Sequence, residues 1–155
     1  MKILGIDPGY GRAGWSILEK EKGKLTLLDF GCVETSKGLE HADRLKQVSD
    51  DIISVIKKHK PDTLAIEQLF FFKNLTTAIK VAESRGVVLL TASQNHLDIK
   101  EYTPLQIKQA ITGYGRADKN QIGQMVKTIL GLKEIPTPDD AADAVAVAIT
   151  CANSI

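Results

Sequence analysis

Residues 141–149 read Ala-Ala-Asp-Ala-Val-Ala-Val-Ala-Ile, apolar at every position but one. A helix that is apolar almost all round has no face to give to water and must be covered on all sides. The 155 residues of the chain suffice for one domain, spanning 1–155, with one core to do so. The exception, Asp143, finds no partner on its own helix. Burying an unpaired carboxylate is costly and drives it toward protonation. Asp140 stands three residues earlier on the same helical face and adds like-charge repulsion. A divalent cation removes both costs, so this helix points to a metal site.

The elements around it follow from hydrophobic period. Residues 2–6 form a short strand stopped by Asp7-Pro8-Gly9, and 11–19 and 24–35 two more, joined by a polar turn. The mixed alternation at 25–33 suits a strand in a sheet covered on both faces. Leu45, Val48, Ile52, Val55 and Ile56 repeat at helical spacing before Pro61. Residues 63–67 are a buried strand ending in an acid. Apolar and small residues at 75, 78, 79, 82, 86, 89, 90 and 93 predict a long helix with Gly86 as a close-packing position; a strand at 87–90 is the weaker alternative. Residues 98–102 are polar enough for an edge strand. Three helices complete the chain. Thr103-Pro104-Leu105-Gln106 carries a capping box and Gly113 ends that helix. Asp118 with Gln121 caps the next, which Gly131 stops. Thr137-Pro138-Asp139-Asp140 starts the last in the same way, with Asp140 at the position that completes the Thr137 cap. The predicted fold is α/β, a sheet with helices on both faces.

Two further acids end strands. Asp7 closes the first strand, at the sheet edge where ligands bind in open α/β folds; alone, it reads equally as an Asx turn before Pro8. Glu67 closes the 63–67 strand, and alone reads equally as a solvated strand end. Asp7, Glu67, Asp140 and Asp143 together make an oxygen-only ligand set from three segments. Such a set suits magnesium, with manganese as substitute, and two ions at a phosphodiester. Zinc does not fit, since no histidine or cysteine lies in these segments except Cys151, two turns beyond Asp143.

Net charge is +1, but residues 68–135 hold nine Lys or Arg against five acids, a local +4, which leaves −3 for the segments bearing the four acids. Neutralised by metal, the chain presents a basic surface suited to nucleic acid. Cys32 and Cys151 have no ligand spacing and read as reduced thiols, consistent with a cytoplasmic protein. The N-terminus has no signal-peptide pattern, and the apolar run 144–149 is too short to span a bilayer. His41, His59 and His96 have no ligand spacing and read as surface residues. Three consecutive phenylalanines, 70–72, cannot all face one way, which leaves at least one exposed for a dimer contact or base stacking. The loop Thr112-Gly113-Tyr114-Gly115-Arg116 is glycine-rich and basic; it reads either as backbone amides for phosphate or as a plain helix connection.

Gly5-Ile6-Asp7-Pro8-Gly9, Ala65-Ile66-Glu67-Gln68, Arg85-Gly86-Val87 and Asp140-Ala141-Ala142-Asp143-Ala144 resemble, in order and spacing, the RuvC Holliday-junction resolvases. The resemblance runs from about residue 2 to about 151. It implies an RNase H-like fold with a five-stranded mixed sheet. It also implies a homodimer that nicks two opposing strands of a four-way junction in recombination and repair, leaving 5′-phosphate and 3′-hydroxyl ends. A branch-migration helicase complex is the implied partner. Asp7, Glu67, Asp140 and Asp143 match the catalytic acids; some members carry histidine at the last position, so Asp143 is either a metal ligand or a base. Lys108 and Lys119 match basic positions near the scissile phosphate, and Phe70 the position linked to junction unstacking. Lys73, Lys80, Arg85 and Arg116 complete the expected DNA contacts. Competing readings are an actin-like ATPase, whose first phosphate loop shares Ile6-Asp7-Pro8-Gly9 but which needs two such domains, an RNase H-like nuclease for other substrates, and a non-catalytic junction binder.

Overall fold

The computed structural model describes residues 1–69 and 74–155. In chain order these form β1 (Lys2–Asp7), β2 (Arg12–Glu21), β3 (Lys24–Glu34), α1 (His41–His59), β4 (Thr63–Glu67), α2 (Leu75–Gln94), β5 (Asp98–Tyr102), α3 (Pro104–Thr112), α4 (Lys119–Leu130) and α5 (Asp139–Ser154). The five strands make one mixed sheet in the order β3-β2-β1-β4-β5. β1 runs antiparallel to β2 and parallel to β4. β5 is at an edge, as its polarity predicts, but so is β3, whose Leu28 and Phe30 are partly exposed. Its mixed alternation reflects an edge strand covered more on one face than the other.

Strand alternation assigns the two faces. Leu4, Ile6, Ile17, Leu64 and Ile66 point to α1 and α2, where Val48, Ile52, Val88 and Ala92 complete one core. Ile3, Leu18 and Ala65 point the other way, to α5 backed by α3 and α4. On that face Gly5, Gly14 and Ser16 take the alternate positions of β1 and β2. A Cβ at Gly14 would collide with the Asp140 carbonyl, and one at Gly5 with that of Ala144 and, at 2.8 Å, with the Ala148 methyl. The α5 backbone therefore lies directly on the sheet, and Ser16 Oγ donates to the Ala144 carbonyl at 3.0 Å. Val145, Val147 and Ile149 are buried on this helix, each contributing about 1.5–3 kcal/mol.

Three expectations are corrected. The 75–93 periodicity marks a helix, but the face it marks looks outward. Leu75, Ile79 and Leu90 are 76%, 60% and 58% exposed, whereas Val81, Ser84, Val88, Thr91 and Ala92 face the interior. The inward polar groups are satisfied: Ser84 Oγ donates to the Gly9 carbonyl, and Thr91 pairs with Ser49. Accordingly, a Cβ at Gly86 would meet nothing within 4 Å among the described residues. The last helix starts at Asp139 with Pro138 as its N-cap residue, and Thr137 makes no cap bond. With the start there, Asp140 no longer stands where a cap would need it, and its carboxylate accepts from Arg12 instead. Among the histidines only His96 is a plain surface residue; His59 is half-buried on Asp29, and His41 links Tyr10 to Glu83. The capping boxes of α3 and α4 form as the sequence predicts.

Candidate functional site

The register Ile6↔Ile66 sets Asp7 and Glu67 side by side at the ends of adjacent parallel strands. By strand period both share the α5 face with Gly5 and Ala65. The glycine-mediated approach of α5 brings Asp140 over β2 and Asp143, one turn on, toward Asp7. One carboxylate oxygen from each of Asp7, Asp140 and Asp143 lies within 4.8 Å of the others. Glu67 joins them through Asp7, which in its protonated form donates to the Glu67 carboxylate.

These acids line a cleft of about 610 Å³ together with Lys108 from α3 and Lys119 at the start of α4. The Asp118 capping box fixes the α4 N-terminus and so places Lys119. Its ammonium donates to Asp143 at 3.0 Å. Asp143 is thus not without a partner; a second helix supplies one that its own helix lacks. Arg12 Nε donates to Asp140 at 2.6 Å. Nothing in the sequence flagged Arg12, because its link to Asp140 exists only through the seating of α5 on Gly14.

Two cations against four acids leave the cluster negative, and the acids respond. Burial, then repulsion from Asp143, Glu67 and Asp140, pushes the Asp7 carboxyl up to about 9. Burial raises Glu67 above its ordinary value, although the hydrogen bond from Asp7 opposes this. Burial also raises Asp143, against the pull of Lys119. The hydrogen bond to Asp143 raises Lys119 and keeps it charged. An all-carboxylate donor set gathered this closely fits a hard divalent cation.

The other expected contacts divide. Lys80 and Arg116 are exposed, Lys80 lying 5.2 Å from the Tyr10 ring centre. Arg85 is turned inward. Its Nε donates to the Glu67 carbonyl at 3.0 Å and its terminal nitrogen to the Glu101 carboxylate, so it holds the end of β4. Phe70 and Lys73, with Phe71 and Phe72, lie outside the described residues. In the loop 112–116 the Tyr114 amide is taken by Thr112 Oγ1, so that amide is not offered to a phosphate. Cys32 and Cys151 are free thiols, and among the described residues no helix is long and apolar enough to cross a membrane.

The fold recurs in known proteins. Residues 3–151 match the family model of crossover junction endodeoxyribonuclease RuvC. The RuvC protein of Halothermothrix orenii is 51% identical over 99% of this chain and 93% of its own. That of Caldicellulosiruptor saccharolyticus is 54% identical over 96% of this chain and 90% of its own. Among solved structures, T. thermophilus RuvC in complex with Holliday junction substrate superposes with a TM-score of 0.91 at 36% identity, over 97% of this chain and 92% of that one. The yeast mitochondrial Holliday junction resolvase Ydc2 shares the fold at a TM-score of 0.70 and 12% identity, covering 97% of this chain and 78% of that one. With the RNase H-like sheet in place, and Asp7 and Glu67 at its strand ends lining one cleft with Asp140 and Asp143 of α5, the chain belongs to the crossover junction endodeoxyribonuclease RuvC family.

Proposed function

We propose that this chain, acting as one nuclease domain over residues 1–155, resolves four-way DNA junctions by nicking two opposing strands, with Asp7, Glu67, Asp140 and Asp143 as its catalytic acids. The observation that carries this reading is the convergence of Asp7 from β1 with Asp140 and Asp143 from α5, in a cleft that Glu67, Lys108 and Lys119 also line. Magnesium, or manganese in its place, two ions to a site, supplies when bound a water nucleophile at neutral pH and charge neutralisation at the phosphodiester. Asp7 releases its proton as the cation loads, since a carboxylate ligates only when ionised. Asp143 orients Lys119, and Lys119 and Lys108 meet the phosphate across the cleft. Lys80 and Arg116 contact the DNA backbone on either side, with Lys73, and Phe70 unstacks the junction. Arg85 serves from within by holding the Glu67 carbonyl.

The outward apolar stripe of α2 supports a homodimer. Leu75, Ile79 and Leu90 recur at helical spacing and are exposed, and a Cβ at Gly86 between them would meet nothing within 4 Å among the described residues, which leaves room for a second helix to approach. A two-fold dimer matches the two-fold symmetry of the junction. A branch-migration helicase complex is the further partner, and the cytoplasm the place of action.

The test is a labelled mobile four-way junction offered beside duplex, RNA–DNA hybrid and single strand, in magnesium and in calcium. Paired symmetric nicks confined to the junction in magnesium, with binding alone in calcium, are expected. Preferential cleavage of hybrid or duplex would overturn the junction assignment.

A further inference from the structure

Arg12 opens β2 on the strand face that carries Gly14 and Ser16. Because the α5 backbone rests on Gly14 at Asp140, the residue two positions earlier runs alongside the Asp140 side chain. Arg12 Nε donates to Asp140 Oδ2 at 2.6 Å, a short charge-assisted bond. It is the side-chain hydrogen bond that Asp140 receives among the described residues. Glu34, across the β2–β3 pair, lies 3.9 Å from the other side of the guanidinium. The terminal torsion of an aspartate is broad, so without this donor the Asp140 carboxylate is free to rotate. Of the three oxygens gathered within 4.8 Å, one therefore owes its place to Arg12.

We infer that Arg12 is a positioning residue: it holds the Asp140 carboxylate in the orientation that completes a divalent-cation site with Asp7 and Asp143. The inference rests on the metal-site reading above. Hydrogen bonds to ligating carboxylates characteristically set metal affinity, and their loss weakens it about 10- to 100-fold. The opposing effect, repulsion between guanidinium and cation, is screened because the Arg12 side chain is 46% exposed. Lysine offers charge without the fixed fork and replaces arginine incompletely.

The experiment measures manganese binding to the metal-free protein by electron paramagnetic resonance, for wild type, Arg12→Ala, Arg12→Lys and Glu34→Gln. Thermal unfolding is recorded in chelator, and junction affinity in calcium. Arg12→Ala is expected to weaken manganese binding about 10- to 100-fold, with folding and junction affinity retained and nicking recovered at high manganese. Arg12→Lys should regain part of the affinity, and Glu34→Gln should match wild type. Unchanged or tighter manganese binding in Arg12→Ala overturns the inference, as does a loss confined to junction affinity, which would make Arg12 a DNA contact. Failure of the wild type to bind manganese would instead sink the metal-site reading itself.

Discussion

Asp7→Asn separates the electrostatic cost of the acid cluster from its use. Asp7 titrates at about 9 in the folded chain against an ordinary 3.8. A carboxyl raised on folding binds more protons folded than unfolded, so it favours the folded state fully below the unfolded value. That advantage shrinks as pH rises, and is lost through the folded value near 9. Each unit is worth about 1.4 kcal/mol. From the ordinary value to about pH 8 the penalty reaches roughly 6 kcal/mol at most, and about 3 kcal/mol once the proton is shared with Glu67 and water relaxes around the cluster. Asparagine keeps the shape and a donor toward Glu67 but never ionises. In chelator at about pH 8, Asp7→Asn is therefore expected to exceed wild type by about 3 kcal/mol, or roughly 6–12 °C in Tm. Near pH 4 the two should agree within about 0.5 kcal/mol. Urea unfolding followed by the single tryptophan, Trp15, measures both. Magnesium should then stabilise wild type and leave Asp7→Asn unchanged, while Asp7→Asn binds junction without nicking it. A variant less stable than wild type at pH 8, or a gap that does not vary with pH, would refute the reasoning.

Two other substitutions probe the framework. Gly14→Ala drives a methyl into the Asp140 carbonyl, so α5 must shift; stability should fall by about 1–3 kcal/mol, and manganese affinity by more than that destabilisation alone explains, as shown by urea curves with and without metal. Ile79→Glu, on the outward face of α2, should leave the chain folded but dissociate the dimer. Removing two such side chains from an interface costs about 3–6 kcal/mol, or about 10²–10⁴ in dissociation constant. Sedimentation measures this, and a variant as dimeric as wild type would locate the interface elsewhere.

The element order, the strand-ending acids and the caps of α3 and α4 were legible because they depend on residues within a few positions of one another. Asp143 was legible as an anomaly, an acid in a helix with no polar face. The stripe on α2 was legible as a stripe but not as an outer surface, since periodicity records that a face is apolar and not what it meets. The inward face of α2 escaped notice because serine and threonine there are satisfied by distant partners, the Gly9 carbonyl and Ser49.

By itself, then, the sequence determined that a helix apolar almost all round had to be enclosed within an α/β fold, and that four acids were available to hold a cation. Tertiary structure decided how those acids meet. Gly5 and Gly14 let α5 lie backbone to backbone on β1 and β2, and the β1–β4 register sets Asp7 beside Glu67. Only then do Arg12 and Lys119, remote in sequence from the acids they hold, take Asp140 and Asp143. Hydrogen bonds and repulsion act over a few ångströms, and those distances exist only once the chain has folded.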